Sequence, residues 1–180
     1  ALDNNEGEIF FLKEKYKNNF KFEITLTDIC DLENLIKVTI NVDYIIHCAA
    51  LKNVSVCELS PSSCVNTNIL ATSNITYAAR VNKVKKVLFT SSDKAVNPTN
   101  IMGASKLVAE KLITAANIEG VVSSSKTVFS STRFGNVIGS TGSVIPIFKS
   151  QIQNNQRLTV TSEKMTRFMM SNDDAVRLVL

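Results

Sequence analysis

Histidine is nearly missing from this chain: His47 is the only one in 180 residues. That excludes a histidine-rich metal centre. The four cysteines, Cys30, Cys48, Cys57 and Cys64, lack metal-type spacing, so no metal site is expected. They read as reduced, mostly core thiols of a cytoplasmic protein. An excess of either charge is also lacking. Twenty basic against 16 acidic residues leave +4, with no dense basic stripe of the kind that binds nucleic acid. Such a mild charge suits an anionic small molecule. No apolar run reaches the roughly 18 residues of a membrane span. Ala1 to Glu8 is polar and acidic, unlike a signal peptide. There is no internal repeat, and Ser123-Ser124-Ser125 reads as a polar turn. What is present is globular in composition, 44% hydrophobic and 20% charged, enough for one domain with a real core.

Strand and helix patterns alternate along the chain. Helices are expected at 6–16, 32–38, 61–82, 102–116, 143–154 and 172–180. Strands are expected at 21–25, 44–48, 86–91, 126–132 and 158–161, with a further one led in by Met165-Thr166-Arg167-Phe168. The first residues read as the end of an earlier strand. This alternation argues for an α/β fold with a Rossmann-like, doubly wound parallel sheet. The pattern loosens after about Ile138, so residues 1–137 form the expected main unit and 138–180 the start of a small C-terminal lobe. No G-x-G-x-x-G-like turn occurs, and the chain breaks off in an uncapped apolar helix. A fragment lacking the first strand and its glycine-rich turn is therefore expected.

The stretch from Leu88 to Lys106 is the first candidate for chemistry. A buried strand runs into Ser92, Asp93 and Lys94, where open α/β sheets hold their ligands. Met102 and Lys106, four residues apart, share one face of the following helix. The same stretch resembles the active-site segment of extended short-chain dehydrogenase/reductases, and most of all the UDP-N-acetylglucosamine 4,6-dehydratases (inverting). The matching residues are Ser91-Ser92-Asp93-Lys94 with Met102 and Lys106, then Ala49-Ala50-Leu51-Lys52, Arg133-Phe134-Gly135-Asn136-Val137, Gly142-Ser143-Val144-Ile145-Pro146 and Met165-Thr166-Arg167-Phe168. Ser92 stands where threonine is commoner in the family. Met102 stands where most short-chain dehydrogenases have tyrosine, although some sugar-nucleotide dehydratases also carry methionine.

The resemblance implies an enzyme that converts UDP-N-acetylglucosamine to a 4-keto-6-deoxy sugar nucleotide, with C5 inversion, for polysaccharide biosynthesis. Bound NADP or NAD would carry the hydride. Ser92, Asp93, Lys94, Met102 and Lys106 are the implied catalytic set. Asp3, Asp28, Ile29, Ala49, Ala50, Lys52, Asn68, Ser91 and Lys106 would bind the cofactor. Lys52, Arg133, Asn136 and Arg167 would bind the UDP-sugar. For several residues a plainer reading stands beside this one. Asp3 suits a helix start, Asp28 a cap for the helix at 32–38, Lys52 a solvated loop, and His47 the core. Asn68, Arg133 and Arg167 also suit the surface, and Asp93–Lys94 an exposed salt link. Elimination would require a protonated Asp93 as acid and a neutral Lys94 as base, so burial is expected to raise the first pKa and lower the second. A homo-oligomer is expected. The rivals are a nucleotide-sugar epimerase of the same fold and a non-catalytic dinucleotide-binding regulator.

Overall fold

A computed structural model of the chain describes residues 1–122, 126–140 and 143–180. The polar turn expected at 123–125, and Thr141 and Gly142 of the later glycine-containing turn, lie outside the described residues. In chain order the elements begin with β1 (Leu2–Asp3), α1 (Glu6–Lys15), β2 (Thr25–Leu26), α2 (Leu32–Val38) and β3 (Tyr44–His47). Helices α3 (Val54–Leu59) and α4 (Pro61–Cys64) follow. A π-helical turn (Val65–Leu70) then runs straight into α5 (Ala71–Val81). Next come β4 (Lys86–Ser92), a 3₁₀ turn (Asp93–Ala95), α6 (Ile101–Val122) and β5 (Val128–Phe134). The chain closes with β6 (Asn136–Val137), α7 (Val144–Gln153), β7 (Met169–Met170) and α8 (Asn172–Val179).

Among the described residues all the strand pairs are parallel, in the orders β1–β2, β3–β4–β5 and β6–β7. The central ladder pairs Ile45 with Val87 and Ser91 with Arg133. Strands β4 and β5 therefore end together, and their last side chains leave on the same edge. One continuous sheet was the sequence expectation, but no ladder joins β1 or β2 to β3 among the described residues.

The core lies between the central sheet and α2, α5 and α6. Val87, Phe89 and Phe129 meet Leu35, Ile75 and Ile113. Each large side chain buried in this way contributes roughly 1.5–3 kcal/mol. Ala78, Ala79, Ala109 and Ala116 are fully or almost fully buried, and their small size lets the helices lie close against one another and the sheet. A second cluster joins Cys57, Cys64 and Met102 to Leu51, Val54 and Ile101.

Several expectations need correction. The strand expected at 21–25 shrinks to Thr25–Leu26, because Phe22 N–H turns back to the Asn19 carbonyl. No strand forms at 158–161; there Thr159 caps back onto the Gln151 side chain of α7. The long helix from Pro61 is interrupted by the π turn, and α3 precedes it. Helix α1 buries Ile9 alone and leaves Phe10 exposed. Of the four free cysteines, Cys57 and Cys64 are core residues, whereas Cys30 and Cys48 are exposed.

Candidate active site

The site is built where β4 ends. Ser92 is the last extended residue, and its Oγ accepts from Lys94 N–H, which folds Asp93–Ala95 into the 3₁₀ turn. Ser92 Oγ–H donates to Asp93 Oδ1 at 2.9 Å, and Lys94 Nζ donates to the same oxygen at 3.0 Å. A second bond from Lys94 Nζ reaches Asn136 Oδ1 on β6 at 2.9 Å. The pair is half-buried, with side-chain exposures of 24% for Asp93 and 32% for Lys94. Burial pushes the Asp93 carboxyl up. The hydrogen bonds from Lys94 and Ser92 push it down by more, so it lies below the usual carboxylate range. This corrects the expectation of a raised Asp93 pKa: two donors on one oxygen outweigh the partial burial, and the acid is ionised.

Helix α6 supplies the floor. Asn100 Oδ1 accepts from Gly103 N–H, and Glu58 Oε1 accepts from Ile101 N–H, so two of the helix's first N–H groups have partners. Gly103 packs on the 3₁₀ turn. A Cβ there would fall inside van der Waals contact of the Lys94 carbonyl. One turn on, Lys106 is buried, and its Nζ donates to Thr90 O at 2.8 Å and lies 4.5 Å from the Phe89 ring centre. Burial drives its pKa down to about 8. Met102, on the same face, is 3% exposed and packs among Cys57, Cys64 and Leu51.

A polar cluster ties α6 to the loop after β3. Asn68 sits inside the π turn, fully enclosed. Its side chain accepts from Leu51 N–H and donates to Leu51 O and to Ser105 Oγ. Ser105 Oγ–H in turn donates to Met102 O. Asn68 is thus no surface residue: it clamps the Ala49–Lys52 loop against the helix. His47 is a core residue, with Nε2 3.0 Å from Thr72 Oγ1 and its pKa pushed by burial down to about 3.

The other sequence candidates have surroundings of their own. Asp3 accepts from Asn5 N–H at the entry to α1. Asp28 accepts from Cys30 N–H, forming a turn, and it is Asp31 that caps α2. That corrects the capping expectation for Asp28. Ile29 packs against the main core. Ala49 and Lys52 are exposed and Ala50 is half-buried. The buried hydroxyl Thr27 Oγ1 beyond β2 makes no hydrogen bond, whereas Ser91 Oγ near the end of β4 faces the Glu110 carboxylate and helps to hold its pKa down. Arg133 makes a bidentate pair with Glu110, at 2.8 and 2.7 Å. Arg167 is exposed and donates to Thr166 O.

Sequence reasoning missed Glu110. Its signal was Lys106-x-x-x-Glu110, a helical spacing that puts the carboxylate one turn from the buried lysine. It missed Ser105 too, for which the sequence offered no sign. Among the described residues, no three His, Cys, Asp or Glu side chains group as a metal site, and no helix is long and apolar enough to cross a membrane.

Comparison with known proteins covers the whole chain. Residues 1–180 match the family described as polysaccharide biosynthesis protein. The chain is 46% identical over 154 residues to a UDP-N-acetylglucosamine 4,6-dehydratase (inverting) of Campylobacter jejuni, covering 85% of this chain and 46% of that protein. It is 48% identical over 163 residues to a UDP-glucose 4-epimerase of Rickettsia bellii, covering 91% and 47%. The solved structure of Pen from Bacillus thuringiensis superimposes with a TM-score of 0.94 at 46% identity, covering 98% of this chain and 56% of that one. The chain therefore spans about half the length of the curated relatives it matches.

Proposed function

The chain belongs to the polysaccharide biosynthesis protein family of extended short-chain dehydrogenase/reductases, and on that footing we propose that it carries the acid–lysine pair of an NAD(P)-dependent UDP-N-acetylglucosamine 4,6-dehydratase. The observation that carries this reading is the Ser92–Asp93–Lys94–Asn136 arrangement at the end of the central sheet, one turn of α6 from buried Lys106. An acid touching an amine supplies both halves of an elimination. The relative named as an inverting 4,6-dehydratase supports the same reaction.

The cofactor would be NAD or NADP. The orphaned hydroxyl Thr27 Oγ1 supports a polar ligand near the end of β2, since a buried hydroxyl without a partner costs free energy. Asp3, Asp28, Ile29, Ala49, Ala50 and Lys52 would line the approach, enclosed Asn68 would act through the Ala49–Lys52 loop that it clamps, and Lys106 would hold the nicotinamide ribose. When bound, NAD(P) would supply the hydride chemistry that transient C4 oxidation and C6 reduction need.

The protein's own groups move the protons. Ser92 holds the C4 oxygen. Asp93 starts ionised, takes the C4 hydroxyl proton, and then has that proton to give to the departing C6 hydroxyl. Lys94, after giving one ammonium proton to solvent water, removes the C5 proton that the C4 ketone has acidified, and hands that proton back to C5 after C6 is reduced. Met102 moves no proton. Arg167 and the exposed side of Arg133 would bind the UDP-sugar, in an enzyme that would work as a homo-oligomer.

The second reading, a C4 epimerase, has the Rickettsia relative in its favour. The full-length enzyme, given UDP-N-acetylglucosamine and either nicotinamide cofactor, separates the two. A 4-keto-6-deoxy product with loss of water supports dehydration, and a C4 epimer of unchanged mass overturns it. In deuterated water, Lys94→Ala should lose C5 exchange by about 10²–10⁴-fold. Asp93→Asn should keep C5 exchange wherever oxidation persists, and block loss of the C6 hydroxyl.

A further inference from the structure

We infer that Asn136 is a positioning residue for Lys94 and that it anchors the amine to the small β6–β7 sheet. The inference rests on the dehydratase reading, but it gives Asn136 a task other than the sugar contact that family resemblance implies. Lys94 Nζ is held at 3.0 Å by Asp93, its neighbour in the chain, and at 2.9 Å by Asn136, 42 positions away. Asp93, itself held by Ser92 Oγ, ties the amine only to its own turn. The bond to Asn136 is the long-range one, and it fixes where the amine stands.

Asn136 is itself firmly seated. Its backbone N–H donates to Phe168 O at 2.7 Å, and Ile138 N–H donates to Met170 O at 3.0 Å. The strands meet closely because residue 135 is glycine: a Cβ there would stand 2.7 Å from Phe168 O, nearer than real Cβ contacts allow. The chain from Met165 to Phe168 is thus joined through Asn136 to the amine. A neutral amide suits this task. Its carbonyl accepts from an ammonium, and its NH₂ can turn to donate to a neutral amine, so the partner is kept on both sides of a proton transfer. A carboxylate at 136 would hold the ammonium but could not donate to the free amine.

The test uses the full-length protein. Lys94 acetylation by limiting acetic anhydride is read by mass spectrometry against exposed Lys149, and needs no substrate. Asn136→Ala should speed Lys94 labelling several-fold, whereas Asn136→Asp should slow it. Unchanged labelling in both variants overturns the inference. The second measurement is C5 exchange in deuterated water. Asn136→Ala should lower it roughly 10- to 100-fold, the scale of a misplaced catalytic group, with KM unchanged, and should cost nothing further in a Lys94→Ala background. A raised KM with unchanged kcat, or equal losses in both backgrounds, would make Asn136 a substrate contact and sink the proposal. A wild type that never exchanges C5 would overturn the dehydratase reading, while labelling would still judge Asn136.

Discussion

At the residue scale, Met102 stands where the resemblance to short-chain dehydrogenases leads to an expectation of tyrosine. A tyrosine there would have to enter a pocket in which methionine is already 3% exposed and packed on two thiols. Met102→Tyr should cost about 1–3 kcal/mol by overpacking, visible as a lower urea midpoint, and should not raise turnover. Lys106 is a different case, a charge kept inside at a cost. Below pH 8 it is protonated in both folded and unfolded chains and carries its full burial penalty. Between pH 8 and its ordinary 10.5 the unfolded chain keeps a proton that the folded one has released, so stability rises with pH across that window. Lys106→Met should therefore be at least as stable as wild type at pH 7, with the margin narrowing above pH 8, while cofactor binding is lost. Denaturation at pH 7 and 9.5, with a cofactor titration, checks this.

At the element scale, α6 does most of the positioning. It carries Met102, Ser105, Lys106 and Glu110 on successive turns, and Gly103 seats it against the 3₁₀ turn of Asp93–Ala95. Replacing glycine by alanine within a helix is normally favourable by about 1 kcal/mol. Here the new Cβ meets a backbone carbonyl, which cannot rotate away, and overpacking of about 1–3 kcal/mol prevails. Gly103→Ala should lower the thermal midpoint and displace Lys94, so that C5 exchange falls more than cofactor binding. The π turn acts similarly. It delivers Asn68 to both backbone groups of Leu51.

At the scale of the whole molecule, acid sensitivity should trace largely to one group. His47 is neutral in the fold with its pKa near 3, and would protonate at its ordinary 6.5 when unfolded. Between those values the unfolded chain holds the extra proton, so stability falls as pH drops from 6.5 towards 3. By pH 5 the loss is roughly 2 kcal/mol. His47→Gln, which keeps a polar partner for Thr72, should flatten urea midpoints between pH 7 and 5. An unchanged slope would assign the acid limb to other groups.

Much of this was legible from residue order alone. Alternating apolar patterns determined the α/β class and the parallel strands, because burial on both faces demands continuous β-branched and aromatic runs such as Lys86 to Ser91. The same patterns brought Ser92, Asp93 and Lys94 to a strand end. Only the folded chain decided what those groups meet. Long-range contacts set protonation: two donors made Asp93 an ionised acid where its sequence suggested a protonated one. The strand after Phe168 was legible as β7, but its partner β6, of two residues, has too little pattern to be read and forms only because a tertiary neighbour pairs with it. Arg133 and Asn136 both looked like ligands for a substrate. Their partners, Glu110 and Lys94, lie 23 and 42 positions away, a distance that spacing rules, which describe one helix or one strand, do not span.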